Sequence, residues 1–155
     1  MEVKELGHLV LYVRDLGVSS HFYRDVLGWQ PIVERAPGDL AFPAMAFNSS
    51  SQRTHHELLL IEVGPQAAPI PEGRRVGLYH FGLKVGNSDD ELREALERLR
   101  EGGVKIVGST DHGMTHSLYI EDPDGNEIEL YIDVPGVDWR DPTLWTEPIL
   151  KPLRL

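Results

Sequence analysis

Three side chains at matching places in a repeated pattern could hold a metal: His8, His80 and Glu129. A strand expected over 127–134 puts Ile128, Leu130, Ile132 and Val134 on one face and Glu127, Glu129, Tyr131 and Asp133 on the other. The segment 6–13 sets His8, Val10 and Tyr12 against Leu9, Leu11 and Val13, and 78–85 sets His80, Gly82 and Lys84 against Phe81, Leu83 and Val85. In each case the aliphatic row is the one that packs, which leaves two imidazoles and one carboxylate on the opposite faces. If two small sheets curve so that these faces line a shared cleft, the set is a two-histidine, one-carboxylate site. Such a site suits iron(II) or a similar divalent metal and leaves positions open for substrate and oxygen. A single strand histidine is more often a satisfied polar residue than a ligand, so the weight lies in the correspondence of the three.

Composition narrows the partners. Lys and Arg total 15 against 25 Asp and Glu, a formal charge of −10, which argues against binding phosphate backbones or anionic lipid and for a small molecule. The absence of cysteine excludes disulfides, zinc ribbons and thiol nucleophiles, and leaves His, Asp and Glu as the strong metal ligands. No charged-then-apolar export signal opens the chain, and the longest aliphatic run, Leu58 to Ile61, is far too short to span a bilayer; a soluble cytoplasmic protein is expected. With 155 residues, one compact domain is the default.

The elements that must position these residues occur twice. After the first strand, Val18, Phe22 and Val26 share one face of a helix expected over about 18–27 and stopped by Gly28. Strands follow at roughly 30–35, 44–47 and 56–63, separated by Pro-Gly and Ser-rich turns. A Pro-, Gly- and Ala-rich linker covers 64–77, and the pattern restarts. Ser88 and Glu91 form a capping box, Leu92, Ala95, Leu96 and Leu99 an apolar stripe, and Gly102-Gly103 a stop. Strands near 105–108, 117–121 and 127–134 complete the second set. The plan is a duplicated βαβββ unit, an α+β fold of two tandem modules (about 5–63 and 78–134) whose curved mixed sheets surround a metal cleft, with a tail at 135–155 that packs over the sheet or against a partner chain.

One stretch adds specificity. His112 is followed by five residues, Leu118-Tyr119, the turn Asp122-Pro123-Asp124-Gly125-Asn126, and Glu129. Proline presets φ for the first corner and glycine accepts positive φ, so a reversal joins two strands here. With His8, His80 and the duplicated plan, this resembles the vicinal oxygen chelate superfamily (glyoxalase I, fosfomycin and bleomycin resistance proteins, epimerases, extradiol dioxygenases) from about Glu5 to Asp133. Within it, the stretch resembles the extradiol dioxygenase signature, and His55-His56-Glu57-Leu58 resembles the His-His pair of those enzymes. The chain has one double module where many extradiol enzymes carry two, and so resembles the single-domain, catechol 2,3-dioxygenase-like members.

The resemblance implies that His8, His80 and Glu129 hold Fe(II), with Mn(II) accepted by the same ligands, that His56 is the acid–base residue, and that His112 and Tyr119 contact the bound diolate. The implied reaction is extradiol ring cleavage of a small aromatic diol by molecular oxygen, in a homodimer. Val10, Tyr12, Leu58 and Leu60 are expected to line a mostly apolar pocket. Glu62, read as sharing a strand face with His56, matches a fourth metal ligand of glyoxalase I relatives and would favour lyase, isomerase or epimerase chemistry. A metal-free small-molecule (drug) binding protein is the third possibility. His55 is expected to point away from His56, His21 to lie at the surface, His116 to flank its strand, Arg53 to be solvated, and Trp139 and Trp145 to serve packing or an interface.

Overall fold

The computed structural model describes residues 1–33, 43–147 and 149–155, which form two compact units, 1–70 and 71–155. The end of the strand expected over 30–35, and the Pro-Gly turn at 37–38, lie outside the described residues.

The first unit runs β1 (Leu9–Val13), α1 (Leu16–His21), β2 (Gln30–Pro31), β3 (Ala44–Asn48) and β4 (Leu58–Glu62), in a sheet of order β1-β4-β3-β2. β4 lies parallel to β1 and antiparallel to β3. The helix starts two residues earlier than its spacing suggests, because the Asp15 carboxylate accepts from Val18 N–H at 2.9 Å and caps it. It then passes into a π-helical turn, Phe22–Val26, and closes at Gly28 with φ 81°. This displaces the expected stripe: Leu16, Phe22 and Tyr23 are buried, whereas Val18 faces out.

The second unit repeats the plan as β5 (His80–Gly86), α2 (Asp89–Glu101), β6 (Ile106–Asp111), β7 (Thr115–Glu121) and β8 (Glu127–Asp133), and adds α3 (Thr143–Thr146) and β9 (Lys151–Pro152). Its sheet order is β5-β8-β7-β6-β9, again with the outer strand β5 parallel to its neighbour. The capping box forms: Ser88 Oγ accepts from Glu91 N–H, and Glu91 Oε2 accepts from Ser88 Oγ–H and Asn87 N–H. Leu92 and Leu99 seat α2 on Leu118, Ile120, Ile128, Leu130 and Ile132, the buried row of β7 and β8. The tail packs at a sheet edge, β9 pairing with Thr110 and Asp111 of β6. Trp139 and Trp145 stay exposed, Trp139 under the Arg140 guanidinium. Among the described residues no helix is long and apolar enough to cross a membrane.

Candidate metal and proton-transfer site

In the second unit the parity argument holds from His80 to Lys84; a bulge between Lys84 and Gly86 then breaks the alternation and leaves Val85 exposed rather than packed. β5 and β8 pair with His80 beside Glu127, Gly82 beside Glu129 and Lys84 beside Tyr131, so these six side-chain positions share the face opposite α2. Tyr119 of β7 lies directly across from Glu129, and Ser117 across from Tyr131. Gly82 matters for clearance, since a Cβ there would meet Tyr131 Cε1 at 3.2 Å and Glu129 Oε2 at 3.6 Å.

The two oxygens of Glu129 are used differently. Oε1 accepts from Ser117 Oγ–H at 2.6 Å and from Tyr119 O–H at 3.2 Å, while Oε2 stands 3.3 Å from His80 Nε2. Two donors each about 2.1 Å from one ion and at right angles stand about 3 Å apart, so the His80–Glu129 pair has the spacing and chemistry of adjacent ligands. Among the described residues no group of three or more His, Asp or Glu is in ligating geometry, and this pair is the metal-compatible feature.

His112 sits in the β6–β7 turn, where its N–H donates to Thr115 C=O and Gly113 takes φ 78°. Its Nε2 meets Tyr119 Oη at 2.8 Å. Burial, and then the Glu129 charge, push the Tyr119 phenol well above its ordinary pKa, which keeps it an O–H donor. With that single proton directed at Glu129, His112 must donate from Nε2. Ser117, fully buried, was not singled out in the sequence; its parity with Tyr119 was the available signal.

In the first unit, His8 immediately precedes β1, and Leu9 N–H donates to Glu57 C=O at 2.9 Å, which aligns His8 beside His56 with ring centroids 4.5 Å apart. His55 joins them rather than pointing away: its ring lies 4.4 Å from that of His56, and the two Nδ1 atoms are 2.6 Å apart. One proton must lie between those atoms, so the two tautomers are coupled. Burial, then the neighbouring His55 and His8, hold His56 below the ordinary imidazole range, which leaves it neutral and able to accept a proton near neutral pH.

Two other expectations change. β4 pairs Leu58 with Leu9 and Leu60 with Leu11, which places Leu58 and Leu60 in the buried row under the helix; Leu59 and Ile61 share the face of Val10 and Tyr12 instead. Glu62 belongs to the helix-side row as well, and its Oε2 accepts from Leu16 N–H at 2.8 Å, at the start of α1. That carboxylate serves the helix terminus, whereas the ring of His56, which precedes β4, lies with His8 and His55. His116 also sits on the helix side, with Nδ1 2.6 Å from Asp89 of α2, and His21 is at the surface bonded to Asp25.

The loop that delivers His55 and His56 is organised by Glu57, a carboxylate 8% exposed. It accepts from Ser49 N–H (2.8 Å), Ser49 Oγ–H (2.5 Å), Ser51 Oγ–H (3.1 Å) and Arg53 Nε–H (3.2 Å), so Arg53 is engaged rather than merely solvated. Burial alone would raise its pKa, but these donors outweigh it and hold the carboxyl below the ordinary glutamate value. A depressed folded-state pKa contributes stability above the unfolded-state value and loses it as pH falls through the folded one. Glu57→Gln therefore lowers stability at pH 7 by about 1–3 kcal/mol. The gap to wild type closes in acid below the ordinary carboxylate range, which thermal melts across pH measure directly.

Residues 5–130 match the family model described as Glyoxalase/Bleomycin resistance protein/Dioxygenase superfamily. The chain belongs to this superfamily. It is 36% identical over 139 residues to the catechol-2,3-dioxygenase of Bacillus subtilis (strain 168), covering 90% of this chain but 45% of that protein. It is 31% identical over 136 residues to a lactoylglutathione lyase of Neisseria meningitidis serogroup A, covering 86% of this chain and 94% of the lyase. The superfamily fold is seen in a glyoxylase/bleomycin resistance protein/dioxygenase domain from Frankia sp. EAN1pec, with a TM-score of 0.67 at 22% identity over 85% of this chain and 99% of that one. The chain thus spans less than half of its dioxygenase relative and nearly all of its lyase relative. Members of both kinds are enzymes by name.

Proposed function

We propose that this protein is an iron(II)-dependent extradiol dioxygenase acting on a catechol-type diol, with His8, His80 and Glu129 as metal ligands. The observation that carries the reading is the divided use of Glu129, one oxygen bonded by Ser117 and Tyr119 and the other facing His80 Nε2 at 3.3 Å. Similarity to the Bacillus catechol-2,3-dioxygenase supports it. When bound, iron(II) supplies Lewis acidity toward two adjacent diol oxygens and reactivity toward dioxygen. His56, neutral near pH 7, accepts the proton of a diol hydroxyl and returns it to the ring-opened product. His112, whose Nε2–H is held on Tyr119 Oη, and Tyr119, which turns its O–H from Glu129 Oε1 toward the developing anion, contact the bound diolate.

A second reading, glyoxalase-type lyase chemistry, is favoured by the match to almost the full length of the Neisseria lyase. It lacks the fourth ligand it would need from Glu62, whose carboxylate holds Leu16 N–H. The separating experiment is oxygen consumption by protein loaded anaerobically with iron(II), over a panel of catechols, alongside a glutathione hemithioacetal. The expected result is uptake of one dioxygen per diol with a yellow ring-opened product. Hemithioacetal turnover without oxygen uptake would replace the first reading by the second.

A further inference from the structure

His80 has two ring nitrogens with different surroundings. Nε2 faces Glu129 Oε2, whereas Nδ1 is buried and lacks a hydrogen-bond partner among the described residues. A neutral imidazole carries one proton, and a nitrogen that is to donate its lone pair requires that proton on the other nitrogen. An Nδ1–H with no acceptor would be costly, and nothing would then hold the tautomer.

Glu127 stands in the place an acceptor would occupy. It is the register partner of His80 across the parallel β5–β8 pair, on the same face, and its Oε1 lies 3.5 Å from His80 Nδ1. A charge-assisted N–H···O bond spans about 2.7–2.9 Å, so the shortfall is well under about 1 Å, within reach of a small side-chain rotation. Tyr79 braces the arrangement. Its ring lies 4.6 Å from that of His80, and its phenol hydrogen-bonds the Glu127 carboxylate.

We propose that Glu127 is a positioning residue for His80: its carboxylate takes the Nδ1 proton, fixes the tautomer that leaves Nε2 bare toward Glu129, and is itself held by Tyr79. This rests on the reading of His80 and Glu129 as metal ligands. The sequence carries the device as a Glu-x-Glu pair on one strand face, in which Glu129 would bind the metal and Glu127 would orient the histidine that binds it beside Glu129.

The test uses the full chain and two readouts. The first is Mn(II) and Co(II) affinity by chelator competition for wild type, Glu127→Leu, Glu127→Gln and His80→Ala. The second is ¹⁵N NMR of the His80 ring in metal-free protein, at a pH where the ring is neutral. Affinity should fall roughly 10–100-fold in Glu127→Leu, with the ring passing from a fixed Nδ1–H form to a mixture, and Glu127→Gln, which keeps an acceptor oxygen, should recover most of both. A leucine variant that retains the fixed Nδ1–H form, or that binds metal as tightly as wild type, overturns the proposal while His80 stands as a ligand. Wild-type affinity in His80→Ala would instead remove the ligand assignment, and the proposal with it.

Discussion

Glu129→Ala is expected to abolish metal-dependent oxygen uptake and to weaken divalent metal binding by more than the roughly 10–100-fold that losing a ligand's hydrogen-bond partner costs. The effect is this large because one carboxylate serves two purposes. Oε2, facing His80 Nε2, is the oxygen proposed to bind the metal, and Oε1 is the acceptor that fixes Ser117 and Tyr119. Its removal would take away the proposed ligand and also free the Tyr119 phenol, on which His112 is aligned at 2.8 Å. Stability responds much less. Ser117 is fully buried and loses its acceptor, a cost of about 1–3 kcal/mol, offset in part because a half-buried charge no longer needs solvation. A circular dichroism melt with metal titration on the same samples distinguishes these effects. Retained metal affinity in a folded Glu129→Ala protein would sink the ligand assignment.

The second unit was legible because period-2 alternation coincides there with burial. Ile128, Leu130 and Ile132 are buried and Glu127, Glu129 and Tyr131 are not, so parity alone located Glu129, Tyr119 and His80 on one face. The first unit was harder to read. Leu58 to Ile61 is a continuous aliphatic run with no alternation to reveal its faces, and the phase assigned to it misplaced Leu58, Leu60 and Glu62. Only the register against β1 resolves that phase, and register is a tertiary property. The gathering of His55 with His56 escaped for a related reason. Strand alternation predicts opposite directions for neighbours, but both residues precede β4, in a loop shaped by Glu57 and its serine donors. The β9 strand, two residues with a proline, carries too short a pattern to be read at all.

Replacing His56 by alanine is expected to lower kcat by about 10²–10⁴-fold while leaving iron affinity within about threefold of wild type. The expectation follows from its surroundings. Burial and two neighbouring imidazoles keep the ring neutral, the state required of a group that first accepts a proton, and its Nδ1 is tied to His55 Nδ1 at 2.6 Å. That tie has a consequence that separates proton transfer from simple packing. Because one proton lies between the two Nδ1 atoms, His55→Ala releases the tautomer of His56 without deleting the base, and so lowers kcat far less than His56→Ala does. His55→Asn, which restores a hydrogen-bonding group at that position, should recover part of the difference. Stopped-flow measurement of diolate formation under anaerobic conditions isolates the step, since deprotonation of the diol precedes any use of oxygen. Slow diolate formation in His56→Ala, and near-normal formation in His55→Asn, would identify His56 as the proton acceptor. Equal rates in wild type and His56→Ala would move that role to another group and leave the histidine cluster a structural feature of the first unit.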